Sequence, residues 1–98
     1  TLTIDLSNGS NQKIVVPSGI NQIDISNPKN GQSGSIFFQF SGASMSGWTN
    51  KFHFTGGSST IPSTSSGNGD IDRLDYIVYD ETSGSEKIHC VYNVDVKA

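Results

Sequence analysis

Hydrophobic and polar residues alternate along most of this chain, and this alternation predicts β-strands. Residues on alternate positions of a strand face opposite sides of a sheet. The clearest example is residues 88–96, where the apolar positions are Ile88, Cys90, Tyr92, Val94 and Val96. No stretch shows apolar residues at the i, i+3, i+4, i+7 spacing of an amphipathic helix. We therefore expect essentially no helix.

Residues 47–57 carry the only tryptophan and show the same alternation. One side of this stretch would present Trp48, Asn50, Phe52 and Phe54, and the other side Thr49, Lys51 and His53. A Gly-Gly pair at 56–57 ends the pattern, because glycine leaves the backbone unrestricted. We predict that this stretch is the central core strand.

Five further strands are predicted at residues 2–6, 13–16, 20–25, 35–40 and 71–80. The first two would form a hairpin. Residues 71–80 are apolar on both faces, which indicates a strand inside a sheet or under an interface. We expect residues 74–80 of this strand to pair antiparallel with residues 88–96 across a polar loop at 80–85. About seven strands in one domain of residues 1–98 favour an all-β fold, an antiparallel β-sandwich or jelly-roll-like domain.

Two connections stand out between the predicted strands. Residues 27–31 read Asn-Pro-Lys-Asn-Gly, a strong turn signal because proline fixes φ and glycine accepts a positive φ. Residues 56–69 form a low-complexity segment rich in Gly and Ser. A connection of that length in a small domain is often functional. We expect Ile61 and Pro62 to attach it to the body of the domain as a partly ordered crossover.

Charge and composition exclude several function classes. The net charge of −3 argues against a nucleic-acid partner, because such binding depends on clustered Lys and Arg. The chain has no apolar run of membrane-spanning length, and its single cysteine, Cys90, cannot form an intrachain disulfide. Between Asn30 and Gly69 the only formal charge is Lys51. Such a surface suits contact with another protein or with sugars.

No residue pattern indicates a catalytic or metal site. Zinc sites use three or four ligands with close spacing, whereas His89 and Cys90 are adjacent and would face opposite sides of a strand. With His53 they are better interpreted as surface histidines and a small buried thiol. No serine lies in a nucleophile elbow, and Asp80 and Glu81 lie in a polar turn. We expect no enzymatic activity, no cofactor and no metal.

Two weaker possibilities for binding involve acidic and aromatic residues. Residues 68–72 resemble the start of a calcium loop, but the required glycine and glutamate are missing further on. Weak cation binding by Asp70, Asp72 and Asp75 stays open, although turn chemistry and pairing with Arg73 or Lys87 explain these residues more simply. A sugar-stacking platform would comprise Trp48, Tyr76, Tyr79 and Tyr92. Core packing suits Trp48 better, which leaves Tyr79 as the best exposed candidate.

The order of short motifs along the chain resembles a domain of tailed-bacteriophage virion proteins, which occurs in fibres and other surface components. The resemblance is carried by LTIDLSNG at 2–9, ISNP at 25–28, GQSGSI at 31–36, GW and KF at 47–52, GG at 56–57, IP at 61–62, DRLDY at 72–76 and IHCVYNVDV at 88–96. It implies a structural or attachment module without catalytic residues. Members are often fibre segments flanked by an anchor and a trimeric stalk. Because neither flank is found here, we expect a free-standing module.

These observations favour a virion structural protein, a capsid decoration (cement) protein or small surface subunit. Its partners would be the major capsid protein or other virion proteins, and it would be a homotrimer on the virion surface, assembled in the host cytoplasm. We expect the contacts to involve the charge-poor region 31–69. The candidate contact residues are Phe37, Ser58, Ser59, Thr60, Ile61, Pro62 and Tyr79. The alternative is a tail-fibre or receptor-binding module that recognises host-surface glycans.

Overall fold

The structure is a computed structural model that describes residues 1–54 and 61–96. In these residues the fold is all-β, as predicted, with seven strands and one 3₁₀ turn at Leu6–Asn8. The strands are β1 (Leu2–Asp5), β2 (Gln12–Val16), β3 (Ile23–Ser26), β4 (Ser33–Phe40), β5 (Phe52–Phe54), β6 (Ile71–Asp80) and β7 (Lys87–Asn93). Over the same ranges, none of the helical structure has the length or hydropathy to cross a bilayer.

The strands form two sheets. β1 and β3 pair in a two-stranded parallel sheet, and the other five form a mixed sheet in the order β2-β4-β6-β7-β5. The predicted antiparallel arrangement is therefore wrong for three of the five strand pairings in the described residues, which are parallel. The predicted antiparallel pairing of β6 with β7 is confirmed, with Tyr76 opposite Cys90. β6 lies in the middle of the larger sheet, as its sequence predicts. Its even-numbered residues from Asp72 to Val78 are buried, whereas Ile77 and Tyr79 on its other face are exposed.

The predicted hairpin of the first two strands is wrong. β1 pairs with β3, and β2 pairs with β4, each in parallel. The chain leaves the sheet of β1 after Asp5. The Asp5 carboxylate accepts the backbone N–H of Ser7 at 2.9 Å and caps the 3₁₀ turn that follows. Gly9 then adopts a φ of +144°, a conformation that residues with a Cβ rarely adopt. The turn redirects the chain so that β2 enters the other sheet.

The tryptophan stretch is not the central strand. Of its described residues, 47–54, those from Phe52 to Phe54 form a strand, β5, which lies at the edge of the larger sheet, parallel to β7. The predicted Gly-Gly end at 56–57 lies outside the described residues. Trp48 makes an isolated bridge to Ile23, and the chain turns before Phe52, whose N–H donates to the Thr49 carbonyl at 3.2 Å. Alternation along a strand identifies its buried face but not its place in the sheet. The central position belongs to β6.

One hydrophobic cluster joins the two sheets. Its fully buried side chains come from β1 and β3 on one side and from alternate positions of β4, β6 and β7 on the other; they include Ile4, Ile23, Ile25, Ile36, Phe38, Phe40, Leu74 and Ile88. Burying such a side chain contributes about 1.5–3 kcal/mol. The Trp48 ring packs edge-on against Phe52, Phe54 and Tyr92 with centroids 5.0–5.3 Å apart. The expected core role of Trp48 is therefore confirmed.

The last strand is shorter than its sequence pattern. β7 ends at Asn93 rather than Val96, and Asp95 adopts a φ of +51°. This bend lets the backbone N–H of Val96 donate to the Ile71 carbonyl at 2.7 Å. Val94 is left exposed. The predicted turn at 27–31 is present, with Asn27 and Gly31 both at positive φ.

Candidate interaction surface

The outer face of the five-stranded sheet is the most apolar exposed surface in the described part of the chain. We define this outer face by the odd-numbered residues of β2, β4, β5, β6 and β7. Seven large hydrophobic side chains are exposed among residues 1–54 and 61–96, and five of them lie here: Val15, Phe37, Ile77, Tyr79 and Val91. The remaining two, Ile61 and Val94, lie outside the strands. Exposed apolar side chains collected on one face indicate a contact surface.

Strand register brings these side chains together. Ile77 lies opposite His89, and Asp75 lies opposite Val91 on the next row. Opposite and diagonal neighbours on one face of a sheet are within contact range. Ile77 and Val91 therefore form a continuous apolar area, and both border a shallow concavity of about 460 Å³ between β5, β6 and β7.

The charges at the centre of the outer face compensate each other. Arg73 lies opposite Phe37, and its guanidinium contacts the Asp75 carboxylate at 3.1 Å. Asp75 also accepts the Ser35 hydroxyl at 2.6 Å. The pair is partly exposed, so its contribution to stability is small. Because the two charges cancel, the area between the apolar side chains of the outer face is locally neutral.

Tyr79 forms the end of this surface. Its ring stacks on His89 with centroids 4.9 Å apart and planes 10° apart, and 66% of the residue is exposed. An irregularity in the β6–β7 pairing lies between Val78 and Asp80, so Tyr79 sits at the point where the register shifts. The imidazole of His89 supports one side of the ring and leaves the other side to solvent.

The structure brings together only part of the predicted contact set. Phe37 and Tyr79 both lie on the outer face, but at opposite ends of β6. Ile61 is exposed and lies beside Trp48 and Lys51 at the β5 edge, where they border a concavity of about 790 Å³. Pro62 is partly buried. The predicted residues Ser58, Ser59 and Thr60 lie outside the described residues.

Of the two residues expected to attach the long connection to the domain, Ile61 is 57% exposed and Pro62 is partly buried. Polar contacts hold residues 64–65. The Thr64 hydroxyl accepts the backbone N–H of Met45 at 3.0 Å. Ser65 donates both its backbone N–H and its hydroxyl to Asp72, at 2.8 and 2.6 Å. In its described part, residues 61–69, the connection is therefore held to the domain by hydrogen bonds at residues 64–65.

Asp72 is a fully buried carboxylate with four hydrogen bonds. Besides the two from Ser65, it accepts the Tyr92 hydroxyl and the backbone N–H of Asp95, both at 2.7 Å. It thereby joins β6, β7, the segment after β7 and the long connection. Buried polar groups that are fully satisfied in this way specify one arrangement of the chain. Asp72 has a structural role here.

The three aspartates considered for cation binding do not converge. Asp72 is buried on the inner face and Asp75 lies on the outer face, while Asp70 accepts the backbone N–H of Gly67 at 2.9 Å. Among the residues that the structure describes, no group of three or more His, Cys, Asp or Glu residues could hold a metal ion. The acidic residues are thus occupied by turns, an ion pair and the Asp72 network.

The four aromatic residues considered for sugar stacking do not form a platform. The Tyr76 hydroxyl donates to the Ser10 carbonyl at 2.9 Å, and burial raises its pKa. Burial, followed by the nearby Asp72 carboxylate, also raises the pKa of Tyr92. Trp48 packs against the core. Tyr79 alone of the four is well exposed.

Cys90 lies on the buried side of β7 and His89 on the exposed side, as their adjacent positions predict. Burial raises the pKa of the Cys90 thiol to about 12. The thiol is protonated at neutral pH, and thiols in that form are poor nucleophiles.

Sequence reasoning missed two features of the outer face. Val91 was not singled out as a contact residue, and the cross-strand proximity of His53 and His89 needed the pairing of β5 with β7. The apolar odd positions of β6 were the available signal for an exposed apolar surface.

No protein-family model, curated protein or solved structure matches the chain. Function is therefore inferred from the geometry of the outer face and from the sequence.

Proposed function

We propose that the protein is a non-catalytic structural subunit of the phage virion surface, a capsid decoration (cement) protein or small surface subunit. It would bind the major capsid protein or a neighbouring virion protein through the outer face. The observation that carries the proposal is the collection of five exposed large hydrophobic residues on that face. The motif order that resembles phage virion domains provides the biological setting.

The composition of the outer face supports protein contact over binding of a charged ligand. Protein interfaces have centres depleted in charged residues and enriched in aromatic residues. Here Phe37 and Tyr79 lie at the ends, Ile77 and Val91 lie between them, and the central charges are paired. Lys13 also lies opposite Phe37 but is exposed on the edge strand β2, so a protein partner would leave it at the polar rim of the contact.

A homotrimer would strengthen attachment without strong individual contacts. In a symmetric trimer, three copies of one surface bind three neighbouring capsid subunits, so the second and third contacts form at high effective concentration. Binding only to the assembled shell then stabilises it by mass action. We propose this trimeric state for the protein on the virion.

We also infer that the two sheets pack as the layers of a β-sandwich. Support comes from the single hydrophobic cluster, which contains Ile4 and Ile25 of the smaller sheet together with Phe38 and Leu74 of the larger one. Nuclear Overhauser effects between the methyl groups of β1 or β3 and the aromatic protons of β4 are the expected result. Their absence would indicate a different arrangement of the sheets.

The test of function is co-sedimentation of the purified chain with phage heads that lack it. We expect saturable, stoichiometric binding to depleted heads and none to heads that already carry the protein. Phe37→Asp should reduce this binding at least tenfold, because a carboxylate would be buried in the contact. Unchanged binding by a folded Phe37→Asp chain would remove the outer face from the contact. Native mass spectrometry of the chain, alone and after release from heads, measures the trimer.

The second candidate function, a tail-fibre or receptor-binding module for host glycans, is favoured by Tyr79 alone. An exposed ring fixed by stacking on His89 is a suitable surface for the apolar side of a sugar. A glycan array with the wild type and Tyr79→Ala separates the candidates. Saturable binding that the substitution abolishes supports the receptor-binding module, whereas a decoration protein shows no saturable sugar binding.

A further inference from the structure

The two histidines of the chain meet on the outer face. Parallel pairing of β5 with β7 places His53 opposite His89, and opposite residues of paired strands point to the same side of the sheet. Their ring centroids are 6.2 Å apart, with the planes inclined by 59°. Both rings border the concavity that Ile77 and Val91 also line. Although these histidines are 36 positions apart in sequence, pairing makes them neighbours.

His53 has an unused nitrogen at this place. Its Nε2 atom is buried and finds no hydrogen-bond partner within the described part of the chain. An unsatisfied buried polar atom destabilises the folded state, and in a native structure it points to a strained site, to an ordered water or to an ion that binds there. A neutral imidazole nitrogen of this kind is a donor for a metal ion.

The separation of the rings fits one shared metal ion. A metal lies about 2.0–2.1 Å from an imidazole nitrogen and so about 3 Å from the ring centroid, which puts two rings on one metal about 5–6 Å apart. The observed separation of the ring centroids is 6.2 Å. A small rotation of either ring about χ2, a torsion that varies broadly in histidine, would bring the two rings into that range. Tyr79 contacts the flat side of the His89 ring. That contact leaves the ring nitrogens, which lie on the rim, available.

We propose that His53 and His89 together bind one divalent transition-metal ion of the Ni²⁺, Cu²⁺ or Zn²⁺ class, with water completing the coordination. Imidazole ligands select these ions over Mg²⁺ and Ca²⁺, and the affinity order places Cu²⁺ first. Asp75, a carboxylate that lines the same concavity, is held by Arg73, so the proposed site has two protein ligands. The site goes beyond the proposed virion function and does not depend on it.

Calorimetric titration of the full chain with Cu²⁺, Ni²⁺ and Zn²⁺ tests the proposal, with Mg²⁺ as the negative control. We expect one metal ion per chain, with Cu²⁺ binding most tightly and Mg²⁺ giving no signal. His89→Asn should weaken Cu²⁺ binding at least tenfold, because the remaining imidazole of His53 cannot chelate the ion alone. This residue is exposed, so the variant should fold. His53→Asn should have the same effect.

Electron paramagnetic resonance of the Cu²⁺ form provides an independent readout. The chain has only two histidines, so a two-imidazole nitrogen pattern that becomes a one-imidazole pattern in His89→Asn assigns the site. Equal Cu²⁺ affinity for the wild type and both variants would overturn the proposal. A metal-dependent doubling of the native mass would also overturn it, since the ligands would then come from two chains.

Discussion

The inner and outer faces of the five-stranded sheet are built by the same strands, yet their apolar residues serve different purposes. Phe37 and Phe38 are neighbours on β4: Phe38 is fully buried, whereas 36% of Phe37 is exposed. On β6 the same contrast separates Val78 from Ile77. Inner-face residues are explained by the core they fill. Outer-face residues are not explained by folding, so their apolar character requires another reason, which we propose is contact with a partner.

Polar groups differ between the faces in the same way. On the inner face, Asp72 is fully buried, and its four hydrogen bonds come from three residues of the chain itself. On the outer face, Asp75 and Arg73 form an ion pair that water still reaches. A buried network with every member satisfied fixes the fold, whereas an exposed pair contributes little to it. The comparison therefore predicts large stability effects on one face and small ones on the other.

The largest contrast is expected between Phe38→Ala and Phe37→Ala. Removing the buried Phe38 ring leaves a cavity and should lower the free energy of unfolding by about 3–5 kcal/mol. Phe37→Ala should cost less than about 1 kcal/mol, because a partly exposed ring loses little buried area. Urea denaturation followed by tryptophan fluorescence measures both. Equal losses would show that the outer face is part of the core.

A smaller difference in the loss of stability is expected between substitutions of two aspartates of β6. In Asp72→Asn the amide nitrogen cannot accept the hydrogen bonds that one carboxylate oxygen accepts, so at least one donor is left unpaired. We expect a loss of about 2–4 kcal/mol. The matched variant Asp75→Asn removes only an exposed ion pair and should cost less than about 1 kcal/mol. If Asp72→Asn were as stable as Asp75→Asn, the Asp72 network would not hold the long connection.

The smallest effect should come from a charge outside both faces. Partial burial of Asp24 on β3 opposes ionisation, but hydrogen bonds from Lys51, the Ile25 amide and Thr49 outweigh it and lower the pKa of Asp24 below 3.8. A carboxylate with a lowered pKa adds stability above its ordinary pKa and loses it as the pH falls through its folded-state value.

Asp24→Asn should therefore be less stable than the wild type at neutral pH, by under about 1 kcal/mol since the pair is partly exposed. The difference in thermal midpoint should close as the pH falls below 3.8. Thermal unfolding followed by circular dichroism across this pH range measures it. A constant gap at all pH values would mean that the effect of the substitution is steric and not electrostatic.

Much of the fold follows from local patterns. The strands around Ile36, Leu74 and Ile88 were predicted because alternation reports which face is buried. The antiparallel pairing of β6 with β7 was predictable because a short polar loop joins them. The pairings of β1 with β3, β2 with β4 and β5 with β7 are parallel and join segments distant in sequence. A period of two carries no information about such partners, which is why Trp48 was misplaced at the centre.

The candidate surface was predictable only in part. Phe37 was identified because it lies on the opposite side of its strand from Ile36, Phe38 and Phe40, and Tyr79 because it was the best exposed candidate among the aromatic residues. Their arrangement with Ile77 and Val91 depends on cross-strand register, and so does the meeting of His53 with His89. The role of Asp72 could not be read from the sequence, because its partners Ser65, Tyr92 and Asp95 come from three separate segments.

The most direct test of the central claim uses two exposed valines. Val91 on the outer face and Val94 outside it are 55% and 54% exposed, so Val91→Asp and Val94→Asp add the same charge at equal exposure. The measurement is the affinity of each folded variant for depleted phage heads by co-sedimentation. We predict that Val91→Asp loses at least tenfold in affinity while Val94→Asp binds like the wild type. Equal binding by the two variants would contradict the assignment of the outer face as the contact surface.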